Sequence, residues 1–100
     1  MELTYDLRAR RELKEAAAWY EKERPGLGQE FLQEIERSVG EIVQAPTRWP
    51  KVGKRTRRCT VKRFPYGIMY VPIEDRLVVV AFAHVKRRPG YWHSRLEGEP

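Results

Sequence analysis

Seven consecutive apolar residues, Leu77-Val78-Val79-Val80-Ala81-Phe82-Ala83, constrain this chain more than any other stretch. A strand with no polar face has to be covered on both sides, or nearly so, which makes this run a central strand. It ends in His84-Val85-Lys86-Arg87-Arg88-Pro89-Gly90-Tyr91-Trp92-His93-Ser94-Arg95, a cluster of cationic and aromatic side chains. Polar groups delivered from the end of a rigid element are held better than groups on a loop.

The other segments arrange themselves around that strand. Leu3 and Tyr5 alternate within Glu2 to Tyr5, a short first strand. Asp6 is placed to cap a helix in which Ala9, Leu13, Ala16, Ala17 and Tyr20 recur at helical spacing up to about Glu23. Arg24-Pro25-Gly26-Leu27-Gly28 breaks the period and predicts a turn. A second helix follows from about Gln29 to Gln44, with Phe31, Leu32, Ile35, Val39, Ile42 and Val43 as its apolar stripe, and Ala45-Pro46 ends it. After a loop, Arg57 to Lys62 alternates as a strand, and Tyr66 to Ile73 predicts the next one. Glu74-Asp75 is a tight hairpin turn into the central strand, and Pro89 starts a short helix or turn through Arg95. The order β-α-α-β-β-β predicts an α+β two-layer domain, an antiparallel sheet packed on a helix hairpin, with the first strand at an edge or beside the last.

One hundred residues make one domain, read here as residues 1–96 with 97–100 as a frayed tail. The formal charge of +6 is unevenly spread. Residues 1–50 carry 8 basic and 10 acidic side chains, whereas residues 51–100 carry 12 and 4. Such polarity favours an anionic partner at one face, whether nucleic acid, an acidic protein segment or an anionic surface. Seven of the basic residues fall within Lys51 to Arg63, either as a solvated face or as a specific anionic contact. The single cysteine, Cys59, excludes an internal disulfide and fits a reducing compartment. It reads either as a small core residue or as a thiol whose pKa is lowered by Arg57, Arg58 and Lys62. No apolar stretch is long enough to span a membrane, and the N-terminus is not a signal peptide, so a cytoplasmic protein is expected. His84, His93 and Cys59 lack the paired spacing of a zinc site, and no metal or other cofactor is expected.

Several separated pieces resemble the RelE/ParE family, the plasmid-stabilisation-like toxins of bacterial type II toxin–antitoxin modules. They are Ala9-(x3)-Leu13-(x5)-Trp19-Tyr20, Pro25-Gly26-Leu27-Gly28 with Phe31-Leu32, and Ile42-(x3)-Pro46. Arg57-Arg58, Phe64-Pro65-Tyr66 with Ile68 and Tyr70, and His84-(x3)-Arg88-Pro89-(x)-Tyr91-Trp92-(x2)-Arg95 complete the set. The resemblance covers about residues 3–96 and implies the RelE/ParE-like fold and a small acidic antitoxin that wraps and neutralises the chain.

The resemblance also implies a choice of target, because members similar to RelE cut messenger RNA in the ribosome and members similar to ParE inhibit DNA gyrase. Metal-free RNA cleavage needs a base, an acid for the leaving oxygen and cations for the developing charge. His84 or His93 as base or acid, Tyr91 as acid, and Arg88, Arg58 and Lys62 for charge are the candidates, with Arg88, His84 and Tyr91 the central three. The nuclease branch carries an arginine just after the aromatic residue of the strand that begins at Tyr66. Here Gly67 follows, so a charge-assisted phosphate contact is missing. The ending His84-(x3)-Arg88-Pro89-(x)-Tyr91-Trp92 is more similar to the ParE side or its uncharacterised relatives, which implies gyrase-type or other non-nuclease targeting, with non-enzymatic gyrase inhibition favoured. The alternatives are a ribosome-dependent endoribonuclease and a non-toxic binding module of the same fold. Arg57, Arg58, Lys62, Arg63, Trp19, Trp92 and Arg95 are the candidates for contact with target or antitoxin. Plainer readings stand beside four of the candidates: Trp92 and Tyr91 anchor the C-terminal segment to the core, His84 bonds locally at the strand end, and His93 is solvated.

Overall fold

The computed structural model describes residues 1–96, so the expected frayed tail at 97–100 lies outside the described residues. Its elements are β1 (Glu2–Tyr5), α1 (Leu7–Glu23), α2 (Leu27–Gln44), β2 (Arg57–Thr60), β3 (Tyr66–Ile73), β4 (Arg76–His84) and a C-terminal 3₁₀ segment, Tyr91–Leu96. The strands form one sheet in the order β1-β4-β3-β2. β2, β3 and β4 make the expected antiparallel meander, with Tyr66 opposite His84 and Cys59 opposite Ile68. β1 lies beside β4 at the sheet edge, but runs parallel to it, so the sheet is mixed rather than wholly antiparallel. The long helical crossover between β1 and the meander permits that direction, which a short turn could not.

Asp6 caps α1 as its sequence position predicts. Its carboxylate accepts the Arg8 backbone N–H at 2.8 Å and the Arg8 guanidinium at 3.0 and 2.9 Å. Those bonds hold its carboxyl below the ordinary carboxylate value. α2 begins at Leu27, two residues earlier than its periodicity suggests. The Glu21 carboxylate reaches across from α1 and accepts the N–H groups of Gly26 and Gly28 at 2.9 and 3.0 Å. That bridge supplies acceptors for donors that an uncapped helix start would leave orphaned. Gly28 lets the two helices close up, since a Cβ there would stand 2.6 Å from the Ala17 carbonyl oxygen.

The main core lies between the hairpin and one face of the sheet. Ala9 and Ala16 of α1 and Phe31, Ile35, Val39 and Ile42 of α2 bury against Ile68, Tyr70, Leu77, Val79 and Phe82. Leu32, which the sequence places in the α2 stripe, is instead exposed. Tyr20, Phe31, Phe64 and Tyr66 interlock edge-to-face or tilted, with centroids 4.9 to 6.3 Å apart. The opposite face carries a second, smaller core of Met69, Val71, Val80, Ala81 and Ala83, closed by Trp92 of the 3₁₀ segment. β4 is thus covered on both faces, as its unbroken apolar run requires. No helix among the described residues is long and apolar enough to cross a membrane.

Candidate functional site

The second face of the sheet is only partly covered, and its uncovered part is a cleft of about 320 Å³ at the C-terminal end of β4. Period-two alternation sends Arg58 and Thr60 of β2, Gly67 and Met69 of β3 and Ala83 of β4 into it. His84, the last residue of β4, and Arg87, Arg88 and Tyr91 of the segment after it add to the lining. Arg58 of β2, distant in sequence, thus lines the same cleft as the near neighbours His84, Arg88 and Tyr91. The floor is apolar, from Met69, Ala83, Val52 and Trp92, and the rim is cationic. Gly67 lies under the Arg58 side chain, and a Cβ at that position would stand 3.1 Å from Arg58 Cγ and Cδ. Arg58 therefore occupies the space where a side chain at position 67 would emerge.

Tyr91 and His84 are held by bonds of their own. The Tyr91 hydroxyl donates to Glu12 Oε2 at 2.5 Å. Burial, and then this hydrogen bond to a carboxylate, push its pKa far above that of an ordinary phenol. The Arg87 guanidinium lies 3.8 Å from the Tyr91 ring centroid and that of Arg95 lies 5.1 Å from it. His84 Nδ1 accepts the backbone N–H of Lys86 at 3.0 Å, so the proton of the neutral ring sits on Nε2. Its ring packs edge-on to Tyr66 at 5.2 Å.

Other candidates fall elsewhere. The Arg57 guanidinium turns away from the cleft and donates to the carbonyls of Thr47 and Trp49 at 3.2 and 2.7 Å, tying down the loop after α2. Arg63 pairs with Glu30 at 2.8 Å, and Lys62 is exposed beside it in the turn after β2. The basic run is thus split between a loop anchor, the cleft and the end of the helix hairpin. Trp19 is 58% exposed on α1 and lines a smaller groove with Tyr66, His84 and Arg87. Trp92 and Arg95, grouped in the sequence reading with contact residues, lie inside, the first 4% exposed and the second with a side chain 10% exposed. Both side chains lie between the C-terminal segment and the rest of the fold, Trp92 in the smaller core and Arg95 on Glu12. Cys59 is buried, and burial pushes its thiol up to about 11, opposed only by Arg48 and not by Arg57, Arg58 or Lys62. His93 is exposed, its ring tilted 4.2 Å from that of Trp92. Among the described residues, no group of His, Cys, Asp and Glu is placed to hold a metal ion.

Glu12 is the residue that sequence reasoning misses. It reads as one more polar position on α1, yet its carboxylate accepts Arg95 twice at 2.9 Å, the Tyr91 hydroxyl, and the Phe82 backbone N–H at 3.1 Å. Its partners are 70 to 83 residues away, and no local spacing announces them.

A small basic α+β domain with a cationic cleft at the end of its central strand is what fold and site define. Over residues 3–89 the sequence matches the family described as the ParE toxin of type II toxin–antitoxin system, parDE. The chain belongs to that family, and is accordingly a toxin component of a type II toxin–antitoxin system, whose partner is an antitoxin. A solved structure of the chromosomal ParDE TA system from P. aeruginosa shares its fold, with a TM-score of 0.74 at 17% identity over 84% of this chain and 95% of that one. No curated protein matches the sequence significantly.

Proposed function

We propose that this toxin acts by binding a protein target, DNA gyrase, and not by cutting RNA, and that an acidic antitoxin neutralises it. The observation that carries this reading is the state of Tyr91. An acid for RNA cleavage must be free to deliver a proton, and a stacking platform for a base must offer an open ring face. Tyr91 donates its proton to Glu12, and two guanidinium groups lie against its ring. Trp92, the other aromatic lining the cleft, is buried. At position 67, where the nuclease branch has an arginine, Gly67 adds no charge. What is left at the rim is a set of guanidiniums over an apolar floor, suited to acidic and apolar side chains of a polypeptide.

The test is a supercoiling and DNA-cleavage assay of gyrase with the purified chain. Inhibition is expected, together with relief by the cognate antitoxin and loss in Arg88→Ala. A folded chain that leaves gyrase untouched sinks this reading.

One arrangement favours the ribosome-dependent nuclease as a second reading: Arg58, His84 and Arg88 do share the cleft. It requires that translated messages be cut in cells expressing the chain, and that Arg88→Ala abolish cutting. Harmless expression with retained antitoxin binding would instead identify a non-toxic binding module.

A further inference from the structure

Arg87 has an unusual position for an exposed cation. Its side chain is 54% exposed and it lines both the cleft and the smaller groove beside Trp19. A surface arginine ordinarily samples many rotamers, and fixing it costs entropy when a partner binds. Here the guanidinium carbon lies over the Tyr91 ring, 3.8 Å from its centroid, and its Nη1 stands 3.7 Å from Glu12 Oε2. That same oxygen accepts the Tyr91 hydroxyl, so one carboxylate anchors both the ring and the cation that rests on it. Arg95, the other cation on Glu12, is buried in two direct bonds and points its Nη1 at the Val80 carbonyl as well. The Glu12–Arg95 pair explains why the segment stays folded, but not why Arg87 is drawn to the same carboxylate while remaining at the rim.

We propose that Glu12 is a positioning residue which, with Tyr91 as its platform, holds Arg87 ready to bind a carboxylate of an acidic polypeptide alongside Arg58 and Arg88. The inference rests on reading the cleft as a partner-binding site. A pre-positioned guanidinium loses less freedom on binding and keeps its planar fork for a carboxylate. A polypeptide fits better than a nucleic acid for two reasons. Glu12 and Glu15 line the adjoining groove and repel a continuous phosphate backbone, whereas a peptide can space its charges around them. The apolar floor at Met69 and Ala83 suits side chains, and of the two large rings lining the cleft Tyr91 carries the Arg87 guanidinium and Trp92 is buried.

The test uses the full chain and a fluorescein-labelled peptide of five glutamates alternating with leucines, with binding followed by anisotropy at low salt. Arg87→Ala should weaken binding about tenfold, the scale of one charge-assisted contact. In a Glu12→Gln, Arg95→Met background, which removes both buried charges together so that neither is stranded, Arg87→Ala should cost less than about twofold. Tyr91→Leu keeps the Glu12–Arg95 pair and provides a second background, in which the cost of Arg87→Ala should shrink in the same way. A merely structural Glu12 would leave the cost of Arg87→Ala unchanged in both backgrounds, and that result overturns the proposal. So does an Arg87→Ala variant with undiminished affinity. If Arg58→Ala and Arg88→Ala weaken binding in that case, the cleft is still a partner site and only the role of Glu12 and Arg87 fails. If they too have no effect, the reading of the cleft fails with it. A uridine oligonucleotide of matched charge that binds more tightly than the peptide, and through the same residues, overturns the assignment to a polypeptide.

Discussion

The two faces of the sheet are held by different physics. The helix-covered face is an apolar and aromatic core, in which Phe31, Ile42, Ile68, Leu77 and Val79 are fully or almost fully buried and Tyr20, Phe31, Phe64 and Tyr66 interlock. The opposite face has a thinner apolar layer, closed at one end by a carboxylate of α1 that holds β4 and the 3₁₀ segment through hydrogen bonds. Apolar contact is non-directional and tolerates small shifts, so it suits the scaffold. Charged hydrogen bonds are directional, so they suit a segment whose side chains must reach the cleft at fixed places. The lesson is that stability is concentrated on one side of the sheet and side-chain placement on the other.

Breaking the first side should cost most. Phe31→Ala empties the centre of the aromatic cluster and is expected to remove about 4 kcal/mol, read as a shift in a urea unfolding curve. Loss of under about 1 kcal/mol would mean that the helix-covered face is not the main source of stability. Glu12→Gln comes next. It leaves Arg95 with its charge buried and its partner neutral, and about 3 kcal/mol is expected to be lost. Replacing both at once, Glu12→Gln with Arg95→Met, should restore most of that loss, because a buried pair replaced by apolar volume is often near neutral. Failure of the double variant to recover would show that the polar hub, and not the apolar layer, holds the second face.

Smaller effects sharpen the comparison at the start of α1. Asp6→Ala removes the helix cap and should cost about 1 kcal/mol by the same measurement. Asp6→Asn keeps a capping side chain but removes the charge, and its effect should depend on pH. The folded-state carboxyl of Asp6 titrates below its unfolded value, chiefly through the hydrogen bond from Arg8. Its charge therefore contributes stability above the ordinary carboxylate range, and that contribution is lost as pH falls through the folded-state value. Wild type should exceed Asp6→Asn in stability near neutral pH, and the gap should close in acid. A gap that is constant with pH would show that the Arg8 pair contributes nothing.

Much of the fold is legible in the sequence, because its signals are local and periodic. The helical recurrence of Ala9, Leu13, Ala16 and Tyr20, the break at Pro25-Gly26, and the unbroken run from Leu77 to Ala83 each dictate one element and its covered faces. The bounds of β3 follow from the same patterning, and the cap at Asp6 from the residue type. The early start of α2 was not legible, since Glu21 supplies its acceptors from another helix. The parallel direction of β1 was not legible either, because a four-residue strand carries no signal of its neighbour's sense.

The candidate site divides in the same way. That Arg88, His84 and Tyr91 belong together follows from their closeness in sequence after β4, and residue type alone marks them as polar chemistry at a strand end. Sequence by itself determined the elements, their apolar faces, the charge polarity and the family's motifs. Only the tertiary structure decided that Arg58 crosses the sheet to join the cleft, that Arg57 does not, that Trp92 and Arg95 point inward, and that Glu12 binds Tyr91 and Arg95 into place. The physical reason is range. Helix and strand preferences act over a few residues, whereas a buried carboxylate is satisfied by whichever donors the completed fold brings to it.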